Sequence, residues 1–283
     1  MSQPTLRVMS IMAHQDDFEF NAGGLFARLR QHYGDRAVLK ILATTRGASG
    51  HQDMSLEQTF RRREQEANAS ASVIGAAYEC LSLLDNSHAV GQVFPDRNTL
   101  GGLWNAIRDF QPDFIVCPPV ITDPRAGIHI DHYNTAWAVR YVAYQLTVPH
   151  AYPALSERAR TARFPAPLII NCDDVYACEN GFDVAIDLAT VYEEKQRMAL
   201  CHASQIYEWL PWNGGREAPT PEQFLANFRQ RHRSINLRYG LEDDTPREFF
   251  RVTFWGRRPT REDLAAVFPD TPVSQATLAT LKL

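Results

Sequence analysis

The sequence predicts an α/β protein with a mostly parallel sheet and helices on both faces. Three observations carry this. Short, apolar, β-rich runs alternate with segments of helical periodicity at the spacing of βαβ units. The runs are largely hydrophobic along their length, as buried strands are. Finally, histidines and carboxylates gather directly behind two of these runs, where open α/β sheets place their ligands, beyond the carboxyl ends of strands.

In order along the chain, residues 6–13 read as the first strand, followed by Gly23-Gly24 and a helix over about 22–33 that keeps Leu25, Phe26 and Leu29 on one face. Residues 37–45 form the second strand and lead into the Gly-rich loop Arg46-Gly47-Ala48-Ser49-Gly50. A long helix over about 56–74, a strand over 78–84, a helix over about 100–110 and a strand over 114–117 continue the alternation. Residues 133–146 look helical. Residues 149–167, with Pro153 and Pro165, turn irregular and read as a lid or connecting segment. A strand over 168–171, a helix over 191–202 and a strand over 249–255 complete the reading. Residues 1–283 are expected to form one domain with an irregular, decorated C-terminal third.

Composition bounds the function. Of 283 residues, 45% are hydrophobic, enough for a sizeable core, and the formal net charge of −4 implies no basic face for nucleic acid. Arg61-Arg62-Arg63 is the densest basic run, and Glu64 and Glu66 follow it on the same helix. Five cysteines, Cys80, Cys117, Cys172, Cys178 and Cys201, form no Cys-x-x-Cys pair and read as free, mostly buried thiols of a reducing compartment. No run reaches the roughly 18 apolar residues of a membrane span, and the start carries no secretory pattern. The expectation is a cytoplasmic enzyme with a small-molecule substrate. Nothing in the sequence speaks for or against a homo-oligomer.

The chemistry lies in two clusters. His14-Gln15-Asp16-Asp17-Phe18-Glu19 follows the first strand, and His129-Ile130-Asp131-His132 follows the fourth by a short loop. A catalytic zinc site takes nitrogen and oxygen donors and keeps one position open for water. His14 and Asp17 supply two candidate ligands from one loop, and the His129 to His132 segment must supply a third. Alone, a His-x-Asp pair is more often a surface loop and an Asp-Asp pair a helix cap. Two such clusters, each behind a parallel strand, argue instead for a shared metal.

At this point a resemblance becomes specific. Ala13-His14-Gln15-Asp16-Asp17-Phe18-Glu19 resembles the Ala-His-Pro-Asp-Asp-x-Glu signature of the PIG-L/LmbE-like zinc-dependent N-deacetylases, and His129-Ile130-Asp131-His132 their His-x-Asp-His signature. Thr45-Arg46-Gly47-Ala48-Ser49-Gly50, Arg63-x-x-Glu66 with Gly75, and Lys195…His202-x-Ser204-Gln205 are similar to further family blocks, over residues 5–256. The resemblance implies a Rossmann-like, LmbE-like fold and N-deacetylation of an amino sugar or its conjugate. It makes His14, Asp17 and His132 the ligands of Zn2+, with Fe2+ the alternative ion. Asp16 becomes the general base, His129 the oxyanion-stabilising or acid group, and Asp131 its orienting partner. Arg63, Asp85 and Arg46 contact the substrate. Gln15 stands where the family has proline, and Gly127 where some members have tyrosine.

On this reading zinc lowers the pKa of its water toward ~7 and Asp16 takes the proton. A cationic His129, kept protonated by Asp131, would stabilise the oxyanion. Two other readings stay open: an amidase acting on a larger amide such as a thiol conjugate or antibiotic precursor, and a non-catalytic nucleotide- or sugar-binding module. The loop at 45–50 lacks the spacing of a dinucleotide fingerprint and the P-loop lysine. His51 and His88 read as surface histidines, His202 as a packing or loop-bracing group, and Trp209 and Trp212 as core or pocket wall.

Overall fold

The computed structural model describes residues 5–174 and 181–283. Seven strands form one sheet: β1 (Leu6–Met12), β2 (Ala37–Ala43), β3 (Ala77–Cys80), β4 (Phe114–Cys117), β5 (Leu168–Cys172), β6 (Val184–Asp187) and β7 (Arg247–Val252), in spatial order 3-2-1-4-5-7-6. β1 to β5 are mutually parallel, whereas β7 runs antiparallel to both β5 and β6. The chain winds outward from β1 to β3, then crosses to β4 on the other side of β1. The adjacent carboxyl ends of β1 and β4 therefore flank a topological switch point, where open α/β sheets bind ligands.

The period-2 alternation of a strand sorts β1 between two apolar layers. Val8 and Met12 pack with Phe18, Leu25, Phe26 and Phe250 on one face, and Met9 and Ile11 pack with Leu103, Trp104, Ile107 and Val139 on the other. The first layer is covered by α1 (Asp17–Asn21), α2 (Gly23–Tyr33) and the later helix Tyr192–Leu200. The second is covered by the helices Arg97–Phe110 and Ile130–Ala143. Beside the helix Tyr192–Leu200, α3 (Leu56–Val73) begins at a capping box in which Ser55 and Gln58 satisfy each other's backbone amides. In chain order, α4 is Arg97–Phe110, α5 Ile130–Ala143, α6 Glu157–Thr161 and α7 Tyr192–Leu200. A π-helical turn, Ser204–Trp209, leads to α8 (Leu210–Asn213), then α9 (Pro221–Arg238), α10 (Arg261–Val267) and α11 (Gln275–Leu281).

Several expected boundaries move for identifiable reasons. The helix expected over 22–33 is α2, and an additional short helix, α1, precedes it and is set off from it at Ala22, whose φ of −144° is not helical. The strand expected over 78–84 stops at Cys80, because Leu83 and Ser87 close a turn around Asn86, which takes a positive φ of 65°. α5 starts three residues early because His129 caps it. The late strand over 249–255 shifts to Arg247–Val252 and is antiparallel, and β6 and α8 to α11 are additional.

Cys80, Cys117, Cys172 and Cys201 are free thiols, the first three buried, while Cys178 lies outside the described residues. Among the described residues no helix is long and apolar enough to cross a membrane. Arg61, Arg62 and Arg63 face Glu57, Glu208 with Glu66, and Asp16, so each guanidinium of the basic run is paired with a carboxylate.

Candidate metal centre

The loop after β1 is folded tightly by its own carboxylate: the His14 amide donates to Asp17 Oδ2 at 2.8 Å. That places the His14 ring and the Asp17 carboxylate side by side at the start of α1. From the second loop, His132 on the first turn of α5 brings Nε2 to 3.2 Å from Asp17 Oδ1. His14 Nδ1 lies 3.5 Å from Asp17 Oδ2, and the two rings are 5.3 Å apart. His14, Asp17 and His132 thus offer donor atoms that all lie within 4.8 Å of one another, as do His14, His129 and Asp131. The first set is the one drawn from the two sequence signatures, and both sets share His14.

The remaining groups surround it. Asp16 accepts from buried Arg63 at 2.5 Å, and Arg63 also donates to Gly47 O at 2.9 Å. Gly47 has to be glycine. Its φ is +55°, and a Cβ would stand 2.3 Å from Gln15 Oε1 and 2.4 Å from Arg63 Nη1. Gln15 donates to Arg46 O at 2.6 Å and so ties the loop after β1 to the loop after β2. The His129 ring lies 4.9 Å from that of His14 and 5.0 Å from that of His132.

Asp131 departs from its expected role. Its carboxylate is directed at His14 Nε2, 3.1 Å away, and at the Val93 amide, 2.6 Å away. What it gives His129 is its backbone N–H, donated to Nδ1 at 3.2 Å. Burial, followed by the neighbouring His14 and His132, lowers the His129 pKa against the pull of Asp131 and Asp17. Asp131 therefore does not hold His129 in the cationic form.

The carboxylates of the cluster favour positive charge on the His14 and His132 imidazoles. Burial opposes charge on His132, yet Asp17 and Asp174 outweigh it and push the pKa up to about 11. Burial likewise opposes charge on His14, and Asp17 and Asp131 again prevail. Asp17 is held well below the usual carboxylate range despite its burial, chiefly by His132 and His14. Four carboxylates, Asp16, Asp17, Asp131 and Asp174, gather around the two imidazoles and the Arg63 guanidinium, so the centre favours positive charge. A dication held between His14, Asp17 and His132 would supply such charge, and two imidazoles with one carboxylate are donors suited to zinc or iron(II).

Of the expected substrate contacts, Arg63 stands at the cluster. Arg46 is half-buried over the Phe60 ring, 4.2 Å from its centroid, with Glu57 3.8 Å from Nη1. Asp85 is exposed and makes its hydrogen bonds to Ser87 and Asn98 instead. His51 is no surface histidine: it is buried, with Nε2 2.9 Å from Glu208 and Nδ1 accepting the Asp53 and Met54 amides. His88 is anchored to Leu81 O at 2.8 Å, and Trp209 stacks on the exposed Trp212. His202 is fully buried 3.0 Å from Glu19, as a bracing group would be.

Asp174, 2.9 Å from His132 Nδ1, was missed by sequence reasoning. The signal existed: Asp173-Asp174 follows the apolar run of β5 as Asp16-Asp17 follows that of β1.

Residues 9–143 match the family model described as PIG-L, GlcNAc-PI de-N-acetylase. A 4-oxalmesaconate hydratase from Pseudomonas putida is 25% identical over 221 residues, 74% of this chain and 78% of the relative. The 4-carboxy-2-hydroxymuconate hydratase GalB of Pseudomonas putida superposes with a TM-score of 0.59 at 19% identity, covering 91% of this chain and 99% of that one. The N,N′-diacetylchitobiose deacetylase of Pyrococcus horikoshii gives 0.63 at 17%, covering 90% and 88%. At these identities the two structures establish the shared mostly parallel α/β fold.

Proposed function

We propose, from the match of residues 9–143 to the PIG-L family model, that this chain is a metal-dependent hydrolase removing an acyl group from the nitrogen of an amino sugar or amino-sugar conjugate. The observation that carries the reading is the convergence of His14, Asp17 and His132, from loops 115 residues apart in sequence (132 − 17), with Asp16 beside them. These three residues would hold Zn2+, or Fe2+ in its place. When bound, such a dication supplies Lewis acidity and an acidified water.

The chain's own residues then do the following. Arg63 occupies Asp16 Oδ1 and fixes the carboxylate, whose Oδ2 accepts the proton of the attacking water. His129 Nδ1 accepts a backbone amide, so its proton sits on Nε2 and is offered to the carbonyl oxygen as negative charge builds there. The proton taken by Asp16 returns to the departing amine. Residues 1–283 act as one domain on this reading, since β7 lies between β5 and β6 and Glu248 on it accepts the Gly24 and Leu25 amides of α2.

A second reading has one specific support, the sequence likeness to a hydratase over 74% of the chain. The same water-activating set would add water across a carbon–carbon double bond conjugated to a carboxylate or ketone. One assay pair decides. Zinc-loaded protein is given N-acetylglucosamine conjugates, with acetate release measured, and conjugated unsaturated oxo acids, with loss of ultraviolet absorbance measured. Acetate release supports deacetylation; absorbance loss without acetate replaces it by hydration.

A further inference from the structure

Each imidazole that faces Asp17 is met on its far side by another carboxylate. His14 presents Nδ1 to Asp17 and Nε2 to Asp131 Oδ2; His132 presents Nε2 to Asp17 and Nδ1 to Asp174 Oδ2, at 2.9 Å. Asp131 belongs to a signature, whereas Asp174 belongs to none and stands at the carboxyl end of β5, a third strand that contributes neither signature loop. It is 1% exposed. A carboxylate is costly to bury without a partner, and the His132 ring is turned toward it.

A neutral imidazole carries a single proton, and the acceptor it meets decides which nitrogen bears it. A carboxylate can only accept, so Asp174 draws the proton to Nδ1 and leaves the Nε2 lone pair directed at Asp17 and the space the donors share. We propose that Asp174 is a positioning residue: it selects the Nδ1–H tautomer of His132, fixes its ring, and thereby sets the affinity of the His14/Asp17/His132 set for its metal. Carboxylates behind ligating histidines commonly act in this way. The inference rests on reading His132 as a ligand.

The test is zinc affinity, measured by competition with a chromophoric chelator, in the parent, Asp174→Ala and Asp174→Asn proteins, with folding checked by circular dichroism. The alanine variant should bind zinc about 10- to 100-fold more weakly. The asparagine variant, whose amide oxygen still accepts from Nδ1–H, should recover part of that loss. An alanine variant that binds as tightly as the parent, or an asparagine variant as weak as alanine, overturns the proposal. If alanine does not fold, two-bond proton–nitrogen correlation spectra of the zinc-loaded parent decide. A proton on His132 Nδ1 supports the assignment, and one on Nε2 overturns it. A parent that binds no zinc removes the metal reading itself and this inference with it; tight parent binding unaltered by alanine removes this inference alone.

Discussion

Asp131, on the first turn of α5, reaches across the switch point to His14 behind β1: its Oδ2 lies 3.1 Å from Nε2, joining residues 117 apart in sequence. Its other oxygen accepts the Val93 amide, so one side chain fastens three loops. Asp131→Ala leaves a buried amide and an imidazole without their acceptor. It should lower stability by about 1–3 kcal/mol per unmet group, read as a reduced urea midpoint. An unchanged midpoint would show that the loops are held otherwise.

The two adjacent aspartates should separate by phenotype. Asp17→Ala should lose bound metal, seen by elemental analysis as a fall from near one equivalent. Asp16→Asn should keep the metal and lose turnover by roughly 10²- to 10⁴-fold. Metal loss in the Asp16 variant alone would reverse their roles.

Gly47→Ala places a methyl group against Gln15 and Arg63 at a positive φ. The strain should cost about 1–3 kcal/mol, and the displaced guanidinium should release Asp16. Turnover is expected to fall while metal content stays at the parent level; a fully active variant would mean that Arg63 does not govern Asp16.

Lys195 and Glu248 form a fully buried ion pair, and Glu248 also accepts the Gly24 and Leu25 amides. Lys195→Met leaves that carboxylate without its cation and should destabilise by about 3–5 kcal/mol. Chemical denaturation measures it, and a loss below ~1 kcal/mol would assign the pair no structural weight.

His232 supplies a pH dependence. Burial, then Lys195, lowers its pKa from 6.5 to about 3, and Nδ1 lies 3.0 Å from Arg247 O. The unfolded chain therefore takes a proton below about pH 6.5 that the folded chain refuses. The contribution of His232 is fully present above 6.5 and is lost as pH falls toward 3, at up to about 1.4 kcal/mol per unit. Between roughly pH 6.5 and 5, the parent should lose more stability than His232→Gln, measured by urea unfolding; parallel slopes would contradict the shift.

The centre of the sheet was legible because β1 and β4 are buried on both faces and read as plain apolar runs, as in Phe114-Ile115-Val116-Cys117. The antiparallel setting of β7 was not, since pairing direction depends on β6, a four-residue strand with little signal of its own. α9 escaped because its face toward the protein is narrow, although Thr220, Pro221 and Gln223 spell a helix start. The metal-centre candidates His14, Asp16, Asp17 and His132 were legible as motifs, because loop and helix-start geometry hold them within a few residues. The turn at Asn86 ends β3 before Asp85, which local spacing did not signal, and the His14 partner of Asp131 is a long-range contact that local spacing does not encode.

The amides of Gly24 and Leu25 wait for a carboxylate made more than two hundred residues later, as the 224-residue separation between Gly24 and Glu248 records. During synthesis both signature loops leave the ribosome before β7 can enter between β5 and β6. Without β7 the sheet would end at the edge of β5, the strand that Asp174 follows. A chain ending before Arg247 would thus carry every signature residue and still lack the strand that joins β6 to the rest of the sheet.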